Sequence, residues 1–524
     1  SDLGYQGWFG CPTDDSGRGI WWHWTDNDHI ISVDTLTIDT WPDTSEYTED
    51  ELCPTGIKDT QGNELFLYSA YHPLTVRRHV LWMAQYGIDV IELQRFLGDW
   101  EVRNQVLKNI RESAEEYGRA FYIQYDGMNV DNMEMLKEDW KYIVDTFEIT
   151  SSPAYLHHNG LPVVGFFGLD LQPRRISPEQ VEDLLDFFQN NPDPKYRATV
   201  LGGVQTNWRT LHEQPDRDPG WAEVYRSMDI LNPWHPSYIS SAESADYILE
   251  TYIIPGIEET NRLGIGYMPT IAPGYSWRNL SVGPPMYELP PLNEKPRDGG
   301  QLMWKEAYNN LSQGVQMMMI AMYDENDEAT GIYKVVETAE GLPPGDIMLA
   351  LDADGYTLPS DWYLILAGRI GQMLRGEMGL TPEIEDLPER DLSAYQSFYI
   401  TFSSSSDWNA LEIENSEIIK FVDVLSTEGE LSDLLANHAW IHLSQPFTAA
   451  ENGNWVSTRV QFFIKPDVQP TELVFTLAKG NFGEAHVLVS AIVDGEEIVL
   501  GEFTHTVNPN DPDHRNTVEF SIPF

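Results

Sequence analysis

The stretch PVVGFFGLDLQPRRISPEQVEDLLDFFQN, residues 162–190, contains one complete strand–helix unit. Its first part, residues 162–169, is a continuous apolar run, which is typical of a parallel strand buried on both faces. Its second part begins with Ser-Pro-Glu-Gln, which places Ser177 at an N-cap, Pro178 at the first helical position and Gln180 in a capping box. The stretch therefore predicts a β-strand followed by an α-helix over residues 177–190.

The same alternation extends over the first 375 or so residues of the chain. Apolar runs lie at residues 4–10, 88–96, 120–125, 162–169, 198–204, 228–231, 266–271 and 317–322. Amphipathic segments separate most of them and lie at residues 73–86, 101–117, 132–147, 177–190, 242–262, 300–313 and 361–374. Eight strands alternating with helices predict an α/β fold, a (β/α)8 TIM barrel, over residues 1–380. A doubly wound open sheet is the alternative, and the sequence has no glycine-rich nucleotide motif to support it.

The pattern changes after about residue 378. Segments of alternating apolar and polar residues, separated by turn residues, lie at 397–402, 455–464, 472–477, 486–493 and 517–522. This period of two predicts an antiparallel β-sandwich over residues 385–524. The predicted domain has either a packing role or a glycan-binding role.

Composition limits the classes of partner. The chain of 524 residues has a formal net charge of −51, with 83 acidic and 32 basic residues. Such a charge repels nucleic acid and anionic membranes, so neither is expected as a partner. No apolar stretch approaches the roughly 18 residues of a membrane-spanning helix, so membrane insertion is not expected. We expect a secreted, periplasmic or cell-surface bacterial protein, most simply a monomer.

The two cysteines, Cys11 and Cys53, have no metal-binding spacing. A disulfide between them and two free buried thiols both remain open. Residues 352–355, Asp-Ala-Asp-Gly, resemble half of a calcium loop, but Tyr363 occupies the position where such a loop has glutamate, and a simple turn is the better interpretation. Neither a metal nor a cofactor is expected.

Aromatic residues make up 12% of the chain, with 17 Trp and 25 Tyr. Aromatic rings pack against the C–H faces of sugars. Active sites of TIM barrels lie at the carboxyl ends of the strands. The residues at those ends are therefore the substrate-binding candidates: Trp8, Gln94, Arg95, Tyr125, Asp126, Asp170, Gln205, Trp208, Trp234, His235, Tyr275, Trp277 and Asp324. Trp21, Trp22 and Trp24, in the long first loop, are either a further sugar platform or part of the packing of that loop.

The segment YDENDE, residues 323–328, is the strongest candidate for the catalytic site. It follows the fully apolar run MMMIAM, so we expect it at the mouth of the barrel. Glycoside cleavage requires one carboxyl group to protonate the leaving oxygen and a second group to assist attack at the anomeric carbon. Glu325 and Glu328, three residues apart, are predicted to be that catalytic pair, and an acidic surface loop is the alternative.

Several motifs together resemble glycoside hydrolases of the family 71/99-like type, which includes endo-α-mannosidases and bacterial proteins labelled putative xylosidase or arabinosidase. These motifs are GYQGWFG near the start, QYDGM, PVVGFFGLDL, NPWH and MYDENDEATGI, and the resemblance covers about residues 4–375. The corresponding family 99 segment reads N-E-W-H-E-G-T. The two glutamates match Glu325 and Glu328, whereas Asn326 and Asp327 replace Trp and His.

The resemblance implies a metal-independent, retaining mechanism without a protein nucleophile. Glu325 would act as the base for the sugar 2-hydroxyl, which attacks the anomeric carbon and forms a 1,2-anhydro sugar. Glu328 would protonate the leaving group and then activate water. The implied substrate is an α-linked polysaccharide or oligosaccharide, with α-mannan as the nearest guess. The alternatives are a catalytically inactive glycan-binding barrel, or an endo-hydrolase of a sulfated glycan, which would need Arg95, Arg174, Arg175 or Arg209 clustered in the cavity.

Overall fold

A computed structural model describes residues 1–26, 29–211, 218–281 and 289–391, and beyond residue 391 it describes a set of β-strands. The chain forms two compact units. The first comprises Ser1–Ile239, Ala245–Ala353 and Leu358–Leu387, and the second comprises Ser240–Ser244, Asp354–Thr357 and Pro388–Phe524.

The first unit contains a parallel sheet surrounded by helices. Its strands, together with a hairpin and one short antiparallel strand, are β1 (Asp2–Tyr5), β2 (Leu52–Lys58), β3 (Glu64–Tyr68), β4 (Val90–Phe96), β5 (Ala120–Asp126), β6 (His157–His158), β7 (Leu161–Phe167), β8 (Thr199–Gln205), β9 (Ile230–Trp234), β10 (Gly266–Tyr267), β11 (Thr270–Ile271) and β12 (Met319–Ile320). The order across the sheet is β10-β9-β8-β7-β5-β4-β1-β12-β11.

The two ends of this order meet in one stretch of chain, residues 266–271. β10 pairs with β9, and β11 pairs with β12, both in parallel. Because β10 and β11 are two halves of a single strand position, the sheet closes on itself as a barrel, in agreement with the predicted (β/α)8 fold. The interruption falls at Met268 and Pro269, and Pro269 has no N–H to donate. The Asn232 amide donates to the Met268 carbonyl at 2.6 Å and to Thr270 Oγ1 at 2.9 Å across this gap.

The helices of the described chain are α1 (Pro73–Gln85), α2 (Trp100–Tyr117), α3 (Met133–Thr146), α4 (Pro178–Gln189), α5 (Gly220–Arg226), α6 (Ala242–Ile248), α7 (Ile254–Leu263), α8 (Gln301–Ser312) and α9 (Trp362–Leu374). The predicted capping box is present at the start of α4, where Ser177 and Gln180 bond to each other's backbone N–H groups. A π-helical turn, Leu249–Ile253, joins α6 to α7. Sequence analysis missed the short helix α5. None of the described helices is both long and apolar enough to cross a membrane.

The first strand differs from its prediction. It ends at Tyr5 rather than extending over residues 4–10. The next two backbone N–H groups, of Gln6 and Gly7, donate to the Asp324 carboxylate instead of to a neighbouring strand. Gly7 has a φ of 57°, a left-handed conformation that glycine adopts without strain. The chain therefore leaves the sheet at Gln6 and turns toward the segment after β12.

A long first loop follows β1 and is held by a disulfide between Cys11 and Cys53. The loop contains the hairpin β2–β3, which sequence analysis missed. Trp24 is fully buried, stacks on Phe9 with ring centroids 4.0 Å apart, and donates to the Tyr68 carbonyl. Trp24 thus packs the loop, which is the second of the two roles considered for this tryptophan cluster.

The second unit contains two five-stranded antiparallel sheets. Their orders are β15-β18-β13-β20-β21 and β16-β17-β14-β19-β22. The strands are β13 (Gln396–Ser404), β14 (Trp408–Ile413), β15 (Ile419–Glu428), β16 (Leu434–Asn437), β17 (Trp440–Leu443), β18 (Val456–Ile464), β19 (Glu472–Lys479), β20 (Glu484–Val493), β21 (Glu496–Thr506) and β22 (Thr517–Pro523). The sandwich packing of these sheets stays a prediction.

Candidate active site

A cavity of about 400 Å³ opens at the carboxyl ends of the barrel strands. Its volume suits a small ligand or one or two sugar units. The residues that line it are Gln6, Trp8, Gln94, Gln124, Asp126, Phe167, Trp234, Pro236, Ser237, Tyr275, Trp277, Leu280, Glu294, Lys295, Met319, Met322, Glu325, Asp327, Glu328 and Thr330.

Two glycines of the barrel, Gly4 and Gly165, leave room for side chains that line the cavity. A Cβ atom on Gly4 would lie 2.3 Å from the Met322 thioether, and one on Gly165 would lie 2.9 Å from Gln124 Cγ. Real Cβ atoms do not approach so closely, so a side chain at Gly165 would displace the stem of Gln124, and one at Gly4 would displace the flexible end of Met322. Met322 and Gln124 both line the cavity.

Asp324 holds the acidic segment in place from below. It is fully buried and accepts hydrogen bonds from the backbone N–H groups of Gln6 at 2.7 Å and Gly7 at 2.9 Å. Burial raises the pKa of its carboxyl to about 7, although these two hydrogen bonds lower it. Asp324 is not among the residues that line the cavity, so its role in the structure is to tie β1 to the turn after β12.

The rest of the segment is fixed by the first and seventh loops. Asn326 accepts a hydrogen bond from Thr40 Oγ1 at 3.0 Å, and its backbone carbonyl accepts from the Asp39 N–H at 3.2 Å. The Ser276 N–H donates to the Glu328 carbonyl at 2.9 Å. These bonds leave the backbone between Asp324 and Glu328 little freedom, which preorganises its side chains.

Glu325 and Glu328, which the sequence places at the mouth of the barrel, both line the cavity, and their catalytic roles stay a prediction. Burial raises the pKa of Glu325 well above its usual value, and the neighbouring Asp327 and Glu328 carboxylates raise it further. The Gln6 amide donates to Glu325 and works in the opposite direction, because it stabilises the ionised form.

Glu328 has a different set of neighbours. Burial raises the pKa of its carboxyl, while a hydrogen bond from the Tyr275 hydroxyl and the positive charge of Lys295 lower it. Lys295 donates to the carbonyls of Pro236 at 2.9 Å and Ser237 at 2.7 Å, which holds the ammonium group beside the cavity. Two buried carboxyl groups in such different surroundings can hold different protonation states, as acid–base catalysis requires.

Asp327 is a third carboxyl group that lines the cavity. Its Oδ2 lies 3.2 Å from His23 Nδ1. The His23 ring is stacked on Trp8, with centroids 4.0 Å apart and an angle of 5° between the planes. Burial raises the pKa of Asp327 well above its usual value, and Glu328 adds to this effect.

Aromatic side chains form part of the cavity wall, as the composition predicted. Trp8, Trp234, Tyr275 and Trp277 all line it. The Trp277 indole donates to Glu294 at 2.7 Å, and Trp234 packs edge-on against Phe167. Apolar rings beside converging carboxyl groups form an environment suited to a sugar.

The strands β4 and β5 contribute polar groups through one face only. Gln94 lines the cavity and donates to Gln124 at 2.7 Å and to the buried Glu92 at 2.9 Å. Arg95 and Tyr125, one residue further along each strand, face the opposite side. Arg95 is 1% exposed and is paired with Asp139 of α3 at 2.6 Å, and the Tyr125 hydroxyl donates to the same Asp139 at 2.7 Å. The structure therefore does not bring Arg95 or Tyr125 to the cavity.

The remaining predicted residues divide between the cavity and the protein interior. Asp126 lines the cavity and is paired with Arg174 at 2.6 Å. Asp170 is buried and accepts from the Tyr225 hydroxyl at 2.5 Å. Trp208 and His235 are each 1% exposed. Gln205 belongs to the end of β8 but, like Asp170, Trp208 and His235, is not among the described residues that line the cavity.

The sequence analysis missed several residues of the cavity. Gln6, Gln124, Glu294, Lys295 and Asp327 were not proposed to bind substrate. Gln124 could have been found, because it precedes Tyr125 in the strand and the period of two places one of the pair inward. His23 could not have been found, because only folding of the long first loop brings it to Asp327.

The arginines required by the sulfated-glycan alternative do not gather here. Arg95, Arg174 and Arg175 are paired with Asp139, Asp126 and Asp131 respectively. None of these three, nor Arg209, is among the described residues that line the cavity. Within the described chain, no group of three or more His, Cys, Asp or Glu side chains has an arrangement that could hold a metal ion.

Comparison with known proteins identifies the fold. No family model matches the sequence. No curated protein matches it either. A solved structure of the family 99 endo-α-mannosidase from Bacteroides thetaiotaomicron is similar to this chain with a TM-score of 0.52 and 17% identity, covering 72% of this chain and 97% of that one. A structure of that enzyme in complex with bis-tris-propane gives a TM-score of 0.50 over the same shares of both chains, again with 17% identity. The resemblance inferred from the motifs is thereby confirmed at the level of the fold.

Proposed function

We propose that this protein is a glycoside hydrolase that cleaves an α-linked, neutral polysaccharide or oligosaccharide, with an α-mannan-like glycan as the substrate class. The observation that carries the proposal is the group of buried carboxyls, Glu325, Asp327 and Glu328, which line one cavity together with aromatic rings at the mouth of the barrel. Burying like charges side by side destabilises a fold, so such a group is characteristic of a catalytic site. The fold shared with an endo-α-mannosidase supports the same conclusion.

In the proposed reaction, Glu325 removes the proton from the sugar 2-hydroxyl as its oxygen attacks the anomeric carbon. Glu328 donates its proton to the departing glycosidic oxygen in the same step, so that the glycosidic bond breaks and a 1,2-anhydro sugar forms. Glu328, now ionised, then removes a proton from water as the water oxygen attacks the anomeric carbon. Opening of the anhydro ring returns the proton from Glu325 to the 2-oxygen and gives a product of retained configuration.

The two roles are assigned from the match of Glu325 and Glu328 to the two glutamates of the family 99 segment. Burial raises the pKa of both carboxyl groups, and that of Glu325 lies well above its usual value. Burial keeps Glu328 protonated toward neutral pH because its pKa is raised. The Gln6 amide donates to Glu325 and stabilises the carboxylate that a base requires. Because ionisation of one carboxyl group disfavours ionisation of the other, the pair holds a single proton over a range of pH. In that state one glutamate is an acid and the other is a base.

The first test is product formation on a panel of α-mannans, α-glucans, xylans and sulfated fucans, with wild type and Glu328→Gln compared. We expect wild type to release oligosaccharides from an α-mannan and Glu328→Gln to lose about 10³-fold in kcat, in the range typical of a removed general acid. Equal activity of the two proteins would exclude Glu328 as the acid. If wild type cleaves none of the glycans on the panel but binds one of them, the result would favour a catalytically inactive glycan-binding barrel.

A second experiment separates the two roles. An aryl glycoside with a good leaving group needs little protonation of its departing oxygen. We therefore expect Glu328→Gln to recover much of its activity on such a substrate, and Glu325→Gln not to recover. The reverse result would exchange the roles of the two glutamates. Nuclear magnetic resonance of the first-formed product would report whether the anomeric configuration is retained.

We further propose that the protein is exported to the cell surface, the periplasm or the medium. The Cys11–Cys53 disulfide supports this location, because structural disulfides persist in oxidising compartments. Thiol titration of the protein isolated from its natural host should find no free thiol before reduction and two after it.

A further inference from the structure

The proposed reaction uses two of the three carboxyl groups and leaves Asp327 without a role. Asp327 lines the cavity, yet the residue is only 4% exposed. Its Oδ2 lies against His23, and its Oδ1 is buried and has no hydrogen-bond partner among the described residues. Buried carboxyl oxygens are nearly always paired, and an unpaired one costs free energy. An unpaired oxygen on a residue that borders a cavity points to a ligand that completes its hydrogen bonds.

His23 holds Asp327 in this position. The edge of its ring, at Nδ1, lies against Asp327, and the face of its ring stacks on Trp8. Trp8 also lines the cavity. The backbone of His23 has a φ of 61°, a left-handed conformation in the first loop. Its position is therefore set by the loop and by the Trp8 stack, not by a helix or a strand.

His23 does not neutralise Asp327. Burial, together with the positive charges of Arg103 and Arg18, lowers the pKa of the His23 imidazole to about 3, so the ring is neutral at the pH of most biological media. A neutral imidazole forms a hydrogen bond with the carboxyl group at Oδ2 without forming an ion pair. Oδ1 of Asp327 therefore remains able to form a hydrogen bond with a ligand.

We propose that Asp327 binds one free hydroxyl group of the sugar beside Glu328 and selects the substrate through it, with His23 as its positioning residue. This inference rests on the proposed function. It narrows the substrate class to glycans whose hydroxyl at that position is unsubstituted. A sulfate or carboxylate there is disfavoured, because its charge would enter a cavity that the three carboxyl groups Glu325, Asp327 and Glu328 already line.

The test is a double-mutant cycle between the protein and its substrate. The substrate is the panel glycan that wild type cleaves, as a defined oligosaccharide, together with its monodeoxy analogues at each hydroxyl of the reacting sugar. Wild type should lose about 10- to 100-fold in kcat/KM on one analogue, because loss of that hydroxyl leaves the buried Asp327 oxygen without a hydrogen-bond partner. Asp327→Ala should lose a similar factor on the parent substrate and should cleave that analogue and the parent within about twofold of each other.

The inference is overturned if Asp327→Ala cleaves the parent substrate as well as wild type does, or if it keeps the full discrimination against every analogue. Should Asp327→Ala fail to fold, Asp327→Asn preserves the volume and answers the same question. Asp131→Asn is the control for loss of one negative charge, because Asp131 is an exposed acid with a side chain 80% accessible. It should leave the discrimination unchanged.

Two substitutions of His23 test its positioning role. His23→Asn keeps a polar atom at the position of Nδ1 and tolerates the left-handed backbone, whereas His23→Phe keeps the stack on Trp8 and loses the polar atom. We expect His23→Asn to retain most of the discrimination between parent and deoxy analogue, and His23→Phe to lose it. The reverse order would show that His23 acts through Trp8 rather than through Asp327.

Failure of this inference is distinguishable from failure of the proposed function. A wild-type protein that cleaves no glycan contradicts the proposed function and, with it, this inference. A wild-type protein that is active, and a Glu328→Gln variant that is inactive, preserve the proposed function whatever Asp327→Ala does. Calorimetry with the inactive Glu328→Gln variant measures how tightly the parent substrate and each deoxy analogue bind. It thereby separates discrimination in binding from discrimination in turnover.

Discussion

Two clusters of buried charge lie near the mouth of the barrel, and they are built in opposite ways. In the cluster on the outer side of β4 and β5, Arg95 bonds to both oxygens of Asp139, at 2.6 and 2.7 Å, and Tyr125 donates to the same carboxylate. In the cluster after β12, the three carboxyl groups of Glu325, Asp327 and Glu328 line the cavity together, with the ammonium group of Lys295 near Glu328. The first cluster balances its charge and the second does not.

The difference separates a structural role from a chemical one. A balanced buried pair is costly only when one partner is removed. A group of like charges is costly as it stands, because each carboxyl group disfavours ionisation of the next. Evolution retains such a cost where the shifted protonation states are used. Charge balance, rather than burial or sequence type, therefore distinguishes the candidate catalytic residues from Arg95 and Asp139.

The largest expected effect is on the balanced cluster. Arg95→Met should lower the free energy of unfolding by about 3–5 kcal/mol, because it leaves Asp139 buried without its cation. Urea unfolding followed by tryptophan fluorescence measures this change, and activity per folded molecule should be little altered. Arg77→Met is the matched control, because it breaks an exposed ion pair with Glu116 and should cost less than about 1 kcal/mol. Equal losses of stability in the two variants would show that the buried Arg95–Asp139 pair is no more important to the fold than an exposed ion pair.

The like-charged cluster should respond in the opposite direction. Glu325→Gln removes one of three competing carboxyl groups and keeps the shape of the side chain. We expect it to raise the free energy of unfolding by about 1–2 kcal/mol at neutral pH while abolishing turnover, in keeping with the stability that active sites commonly forgo. If Glu325→Gln is instead less stable than wild type, the hydrogen bond that Gln6 donates to Glu325 contributes more than the repulsion between the carboxyl groups costs.

The stabilisation by Glu325→Gln should depend on pH with a defined sign. The pKa of Glu325 is raised above its usual 4.5 in the folded protein, so wild type loses stability as pH rises above that value and the unfolded chain ionises. Glutamine does not ionise. The difference in unfolding free energy between variant and wild type should therefore be small near pH 4 and grow toward neutral pH, and a constant difference would contradict the assigned shift.

The smallest predicted effect concerns Tyr275. Its hydroxyl donates to Glu328 and lowers the pKa of that carboxyl. Tyr275→Phe removes the hydrogen bond, so the pKa of Glu328 should rise and the acid should stay protonated to higher pH. The alkaline limb of the kcat/KM profile should move upward by about half a pH unit to one unit. A movement to lower pH would show that the limb reports another group.

The contrast between the clusters also explains what the sequence could predict. The helix after Ser177 and the position of Glu325 and Glu328 after an apolar strand depend on local pattern, and both agree with the structure. Arg95 and Tyr125 were expected at the cavity, and the sequence pattern could not exclude this. A strand buried on both faces lacks the alternation of apolar and polar residues that would show which side chains point into the barrel. Their inward neighbours, Gln94 and Gln124, line the cavity instead.

The rest of the site depends on contacts between residues far apart in the chain. Gln6 reaches Glu325, and His23 reaches Asp327, across more than 300 residues. The first contact requires β1 to end at Tyr5, and the second requires the first loop to fold around its disulfide. Neither event leaves a periodic signal in the sequence, so the long-range part of the site becomes visible only in the folded chain.

The break in the seventh strand has a consequence for how the barrel comes apart. Each half of this strand pairs with a single neighbour over two residue pairs, whereas β4 and β5 pair over seven. The Met268 N–H donates to the Leu231 carbonyl at 2.8 Å, the Pro269 carbonyl accepts from the Met319 N–H at 3.1 Å, and the Asn232 side chain adds its two bonds across the break. A short ladder opens with the loss of fewer backbone hydrogen bonds than a long one, so its local opening costs less free energy. Amide hydrogens of β10 and β11 should thus exchange with solvent earlier than those of β4 and β5, which makes residues 266–271 the seam of the molecule.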